Sequence, residues 1–160
     1  MHPSCSGEIN VTVPRSSLAL VSCGLWLVVL GLYFVLARPA LLPEDVHFLG
    51  QPLARIRTAI PEQEHWLRLV FIVLGGFVTG AGVLATNLAA VVLPHRPRGA
   101  SWVIAIAGLS TVVLMSAVNF QLQSDFRWLL LIPAVLWVAG LVAYLAEGSR
   151  QGCSTRSAPE

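Results

Sequence analysis

The sequence predicts an all-α membrane protein, with four transmembrane helices in an antiparallel bundle and a short interfacial helix in the first loop. Of its 160 residues, 56% are hydrophobic and only 11% are charged, and the mean hydropathy is +0.74. A soluble domain has about 25% charged residues, because its surface faces water. A chain with so few charges must present much of its surface to lipid.

Four segments are apolar enough to cross a membrane. A helix rises ~1.5 Å per residue, so about 20 residues span the ~30 Å hydrocarbon core. Because backbone groups in lipid must bond within their own segment, these segments are predicted to be helices. The predicted spans cover residues 16–37, 67–93, 101–119 and 128–146.

Two tails and one long loop flank the spans. Residues 1–15 are predicted to form a polar tail, residues 16–146 the membrane domain, and residues 147–160 a flexible tail. The loop at residues 38–65 is longer than a simple connector and is expected to carry structure. The first span is predicted to remain uncleaved, because it exceeds the ~7–15 apolar residues of a signal-peptide core.

The long loop contains three helix signals, of which the first is a proline followed by two acids at residues 43–45. Leu53, Ile56 and Ile60 recur at helical spacing, which is typical of a short amphipathic helix lying in the membrane interface. Pro61 then precedes a cluster of acids, a pattern that favours a helix start. The second transmembrane helix is therefore expected to begin near Pro61, well before its apolar core.

The same loop holds the residues best suited to chemistry. It contains the Glu-x-x-His pattern twice, and on a helix a carboxylate and an imidazole three residues apart face the same way. Pairs of this pattern bind two metal ions in carboxylate-bridged helix bundles. Those sites lie inside bundle cores and use further glutamates, so helix capping and solvation are the favoured interpretation, and no cofactor is expected. The candidate ligands are Glu44, His47, Glu62 and His65.

Small residues predict close helix packing. Gly76 and Gly80 form a Gly-x-x-x-Gly step in the second span, with Thr79 and Asn87 nearby. Gly108 belongs to a looser small-residue pattern in the third span. Small residues let helix backbones approach closely when the surrounding lipid is as apolar as leucine. Packing within the bundle is the favoured interpretation, and a dimer interface or a permeation path is the alternative.

Aromatic and basic residues predict the position of the chain in the membrane. Trp66, Trp102 and Trp128 each stand at the start of a span, where an indole ring prefers the headgroup layer. The ten arginines divide five against five across the membrane, but the short loop at residues 94–100 carries two, and short loops obey the positive-inside rule best. Both termini are therefore predicted to be cytoplasmic. The use of arginine without lysine is typical of a GC-rich bacterial genome, so a bacterial inner membrane is expected.

Charge also limits the function. No Asp, Glu, Lys, Arg or His lies within the apolar stretch of any predicted span, the second of which covers residues 69–93, and this argues against a proton-relay transporter or pump. A net charge of +2 without a basic run argues against nucleic-acid binding. The favoured function is a non-enzymatic structural or interaction protein, without catalytic residues, whose partners are the lipid bilayer, other membrane proteins or its own copies. The alternatives are an oligomeric channel or small-solute permease, and then a metal-dependent membrane enzyme that uses residues 44–65.

Two stretches of the chain carry a family resemblance, Arg38-Pro39-Ala40-Leu41-Leu42-Pro43-Glu44-Asp45 and His65-Trp66-Leu67-Arg68. With them the sequence resembles small bacterial inner-membrane proteins of four helices, in which the first span ends in an Arg-Pro-rich stretch. The likeness covers most of the chain in layout and is specific across residues 38–68. Such families are known as membrane proteins of undefined function, so the resemblance implies a topology and no site residues.

Overall fold

Helices form nearly all of the described part of the chain. The computed structural model describes residues 14–42, 46, 50, 52–124 and 126–154, with side chains up to Ser149. These residues contain no strand. The helices are α1 (Arg15–Leu36), α2 (Leu53–Ala59), α3 (Gln63–His95), α4 (Ala100–Gln121) and α5 (Arg127–Ser154).

Four of these helices are long and apolar enough to cross a membrane, which confirms the predicted number of spans. They are α1, α3, α4 and the Arg127–Ser149 part of α5, with window hydropathies between 2.1 and 2.4. The chain is therefore a multi-pass membrane protein by length and composition. The helix α3 begins at Gln63, two residues after Pro61, and so extends beyond the predicted apolar span of residues 67–93.

Two of the long helices, α3 and α4, contain a π-helical turn. In α3, the α-helix Gln63–Asn87 continues as a π-helical turn over Leu88–Val92. In α4, a π-helical turn at Leu109–Val113 separates two α-helical parts. A π-turn inserts one extra residue into the helix and rotates the side chains that follow it. Both turns lie beside the core, where Ala89 and Val112 are fully buried.

A tight turn joins α3 to α4. Arg96 and Gly99 both adopt left-handed backbone conformations, with φ of 49° and 84°. Glycine takes this conformation freely, whereas arginine is strained in it. The strained turn directs the Arg96 side chain toward the end of α5, where it finds the partners described below.

The helix α1 lies at the centre of the packing. It contacts α3 along most of its length and also packs against α5, which in turn packs against α4. One third of the apolar window is buried in α1 and in α5, compared with 11% in α3. The helix α3 therefore packs mainly through one face and leaves the rest uncovered by the described chain.

The core contains side chains from all four long helices. Cys23 of α1, Leu93 of α3, Ile104 of α4 and Trp137 of α5 are all buried in one cluster. The Cys23 thiol donates a hydrogen bond to the carbonyl oxygen of Pro133 at 3.3 Å. Four apolar helices thus share a core on the side of the bundle nearer the chain termini.

Candidate functional site

The contact between α1 and α3 is a direct contact of backbones. A methyl group placed on Gly31 would lie 2.6 Å from the carbonyl oxygen of Gly75, and one on Gly82 would lie 2.6 Å from that of Gly24. Real carbon atoms do not approach an oxygen so closely, so neither helix accepts a larger residue there. The glycines are spaced seven residues apart on each helix. They therefore repeat on one face after about two turns.

Two threonines complete this contact. The hydroxyl groups of Thr79 and Thr86 donate to the carbonyl oxygens of Gly75 and Gly82, each at 2.8 Å. Each hydroxyl is thereby satisfied within its own helix and also lies against a glycine of α1. Thr79, one of the predicted packing residues, thus lies in the contact with α1.

The structure places the other predicted packing residues of α3 on a different face. Gly76 and Gly80 have no atom within 4 Å of the position that a side chain would occupy. Asn87 is exposed, and its amide makes no hydrogen bond to another described residue. Gly75 and Gly82, rather than Gly76 and Gly80, make the contact within the bundle. We call the outward side of α3 that carries Gly76, Gly80 and Asn87 the α3 outer face.

Large apolar side chains border the two glycines on the α3 outer face. Val73 is 59% exposed, Phe77 75% and Leu84 72%. Together with Gly76 and Gly80 they follow the three- and four-residue spacing that defines one side of a helix. The face therefore offers a shallow depression at the glycines, with bulky groups above and below it.

A tryptophan of α5 holds this helix to α4. The Trp137 indole N–H donates to the carbonyl oxygen of Ile104 at 2.9 Å. Its ring lies against Gly108 so closely that any side chain at Gly108 would overlap it. Gly108, predicted as a packing residue, thus makes room for an aromatic side chain rather than for another backbone.

An ion pair ties three segments together at the end of the bundle near the termini. Arg96 Nη2 donates to Glu147 Oε2 at 3.0 Å, and Arg96 Nη1 donates to the carbonyl oxygen of Tyr144 at 2.9 Å. The Ser16 hydroxyl donates to the same carboxylate oxygen at 2.7 Å. The start of α1, the turn after α3 and the end of α5 therefore meet at one carboxylate.

Of the four candidate metal ligands, two lie within the described residues and two lie outside them. Glu44 and His47 lie outside the described residues. Glu62 and His65 are exposed at the start of α3. No group of three or more possible ligands occurs among the described residues. The neighbouring Glu64 accepts a hydrogen bond from Arg57 of α2 at 2.7 Å.

The three tryptophans predicted as interface anchors are exposed at helix ends. Trp66 is 62% exposed, Trp102 74% and Trp128 63%. The Trp128 ring also contacts Phe120 edge-on, with 5.5 Å between the ring centroids. Each indole ring is thus open to its surroundings at the beginning of α3, α4 or α5.

A groove of about 260 Å³ opens between α1, α4 and α5, at the end nearer the long loop. Its apolar wall includes Trp26, Tyr33 and Phe34 of α1 and Leu129 of α5. Polar groups lie toward one end, among them Arg38. We call this feature the Trp26 groove. Sequence reasoning missed it, because its walls come from three helices that periodicity cannot place side by side.

Similarity to known proteins offers no assignment for these features. Comparisons with protein-family models, with curated proteins and with solved structures found no match.

Proposed function

We propose that this chain is a non-enzymatic interaction protein of a bacterial inner membrane, which associates with a second copy of itself through the α3 outer face. In this proposal the four spans form an antiparallel bundle. The reversed order of the glycine pairs supports this for α1 and α3, since Gly24 lies opposite Gly82 and Gly31 opposite Gly75. Further partners in the membrane would bind the remaining apolar surfaces.

The observation that carries the proposal is the composition of the α3 outer face. A glycine depression flanked by Phe77 and Leu84 is complementary to a copy of itself, because the bulky group of one helix can enter the depression of the other. Asn87 lies on the same side and has no hydrogen-bond partner among the described residues. An amide in a membrane is stabilised by a hydrogen bond to a neighbouring helix.

The position in the membrane is part of the same proposal. We place both termini in the cytoplasm and α2 in the opposite interface. Leu53 and Ile56 of α2 are half-buried, whereas Arg55 and Arg57 are exposed, as an interfacial helix requires. The exposed indole rings of Trp66 and Trp128 would then lie in the headgroup layer on the side of α2.

Self-association is testable with Gly80→Leu. The added side chain fills the depression on the α3 outer face and points into open space, since a Cβ atom at Gly80 would have no neighbour within 4 Å. Energy transfer between labelled copies in vesicles is expected to fall to the level of a monomer. Ala139→Leu places the same leucine side chain at an exposed site on α5 and is expected to leave the transfer unchanged. Wild-type protein that is monomeric at every protein-to-lipid ratio would contradict the proposal.

A second candidate function, an oligomeric channel or small-solute permease, uses the same face. The α3 outer face would then line or assemble the pore. Ion and solute flux into vesicles that contain the wild-type protein tests this alternative. It gains support if Gly80→Leu abolishes a measured flux while the helices remain folded, and it fails if reconstituted wild-type protein passes no solute or ion.

A further inference from the structure

Asn87 places a polar side chain on the α3 outer face below the level of the headgroups. From Asn87 to the end of α3 at His95 the helix rises about 10 Å, and the stretch from Leu88 to Leu93 between them is entirely apolar. Asparagine is too short to carry its amide from this depth to the membrane surface, as the long stems of lysine and arginine do with their charges. The exposed amide therefore faces the hydrocarbon core.

The hydrogen bonding of Asn87 differs from that of the other polar side chains on the outside of the spans. Asn119 of α4 donates to the carbonyl oxygen of Met115, one turn earlier in its own helix, at 2.9 Å. The exposed hydroxyl groups of Ser110 and Thr111 also donate to carbonyl oxygens of α4. Asn87 makes no such bond to any described residue. A polar group without a hydrogen bond is unfavourable in an apolar medium, so this amide is expected to bind a group on another molecule.

A second copy of the chain carries the matching group. A carboxamide has both N–H donors and a carbonyl acceptor, so two carboxamides that meet can donate to each other. Copies that cross the membrane in the same direction hold their Asn87 residues at the same depth. A two-fold axis along the membrane normal then brings identical residues of two α3 helices together. The lipid chains around α3 offer neither a donor nor an acceptor at this depth.

The residues that precede Asn87 on the α3 outer face form a seam that suits a parallel pair of helices. A set of exposed positions between Val70 and Asn87 recurs in alternating steps of three and four residues. This spacing is typical of two helices that cross at about +20° and stay in contact over several turns. An asparagine in such a seam fixes which residues of the two helices meet. The seam consists of Val70, Val73, Phe77, Gly80, Leu84 and Asn87.

We propose that Asn87 determines the register of self-association, by pairing its carboxamide with that of Asn87 in the second copy across a parallel contact between two α3 helices. Gly80 lets the two backbones approach, and Asn87 lies about two turns further along the same face. This inference rests on the proposed self-association and deepens it, because it names the residue that decides how the two copies align.

Energy transfer between labelled copies of the full chain in vesicles tests the contribution of the amide. Asn87→Val replaces the carboxamide with an apolar side chain and is expected to weaken self-association about three- to tenfold, because the hydrogen bonds between the copies are lost. Asn87→Gln keeps a carboxamide and should retain most of the affinity. Asn119→Val removes an amide that is already bonded within its own helix and should leave the affinity unchanged.

Disulfide formation between copies tests the register. In a chain whose tails lack cysteine, Val73→Cys and Leu84→Cys place thiols in the seam, whereas Leu74→Cys and Val83→Cys place them beside it at positions that are also exposed. On oxidation in vesicles, the two seam variants are expected to form dimers about tenfold faster than their neighbours, because a disulfide requires the two thiols to meet. Adding Asn87→Val should reduce this difference.

The outcomes separate this inference from the proposed self-association. Wild-type protein that is monomeric at every protein-to-lipid ratio would overturn both. Association of the wild type with the same affinity in Asn87→Val would overturn the inference alone, as would equal disulfide formation in the seam and beside it. The cysteine variants that retain Asn87 decide the register even if Asn87→Val fails to fold.

Discussion

Single glycines control how closely α1 and α3 approach. Gly31 and Gly75 face each other across the contact, as do Gly24 and Gly82, and each lacks the space for one methyl group. Since dispersion forces drive helix association in lipid, a short distance between the backbones increases the number of favourable atom contacts. These four glycines therefore contribute to stability because they have no side chain to hold the two backbones apart.

The contrast between Gly82 and Gly76 gives a sharp test. Gly82→Ala forces α1 away from α3 and is expected to lower the free energy of unfolding by about 1–3 kcal/mol. Gly76→Ala meets no neighbour and is expected to be neutral or to stabilise α3 by up to ~1 kcal/mol, because alanine favours helix. Circular dichroism during unfolding in mixed micelles measures both. Equal effects of the two changes would show that the α1–α3 contact is wrongly assigned.

The ion pair between Arg96 and Glu147 joins helices that are far apart in the sequence. Both side chains are about three-quarters buried, with 22% and 26% of their surfaces exposed. The pair between Arg57 and Glu64, by comparison, is 59% and 36% exposed. Water screens the exposed pair strongly, so its contribution to stability is small. The buried pair is the one expected to hold the ends of α1, α3 and α5 together.

A double-mutant cycle quantifies this difference. Arg96→Gln and Glu147→Gln are expected to show a coupling energy above ~1 kcal/mol, since the charges are partly buried and hydrogen-bonded. The matched cycle with Arg57→Gln and Glu64→Gln is expected to give less than ~1 kcal/mol. Unfolding in mixed micelles gives the four free energies of each cycle. A smaller coupling for the buried pair than for the exposed pair would argue against its stabilising role.

The short helix α2 is predicted to lie along the membrane surface. A spin label at Ile56→Cys should collide more often with dissolved oxygen, which concentrates in lipid, than with a water-soluble nickel complex. A label at Arg55→Cys should show the opposite preference, because Arg55 lies on the exposed side. Electron paramagnetic resonance in vesicles measures both collision rates. Preference for the nickel complex at both sites would place α2 in water.

The predicted orientation of the chain in the membrane depends on the short loop at residues 94–100, because the ten arginines divide evenly between the two sides. With Cys5 and Cys153 replaced by serine, Thr58→Cys is expected to react with a membrane-impermeant thiol reagent applied to the outside of spheroplasts. His95→Cys should react only after the membrane is opened, because the turn it precedes carries the arginines of the short loop. Both positions are exposed, so accessibility within the fold does not differ. The reverse pattern would invert the topology.

The number and approximate extent of the spans follow directly from the chain. An uninterrupted apolar stretch of sufficient length must become a helix in lipid, and both length and hydropathy can be counted along the sequence. For this reason the number of spans was predicted correctly, and the long helices of the structure contain the apolar stretches of the sequence, as in α3, where a polar turn of helix from Gln63 precedes the apolar part.

The face through which each helix packs against its neighbours could not be predicted from length and hydropathy. Gly75 and Gly76 are neighbours in sequence, yet a rotation of ~100° separates them on the helix, so one faces α1 while the other faces outward. The Gly-x-x-x-Gly step can be recognised from the sequence of α3 by itself. The seven-residue spacing of Gly75 and Gly82 indicates a contact only when it is compared with the same spacing of Gly24 and Gly31 in α1. The Trp26 groove is a similar case, since its walls come from three helices. Local sequence defines each helix, but the contacts between helices depend on how their surfaces fit together.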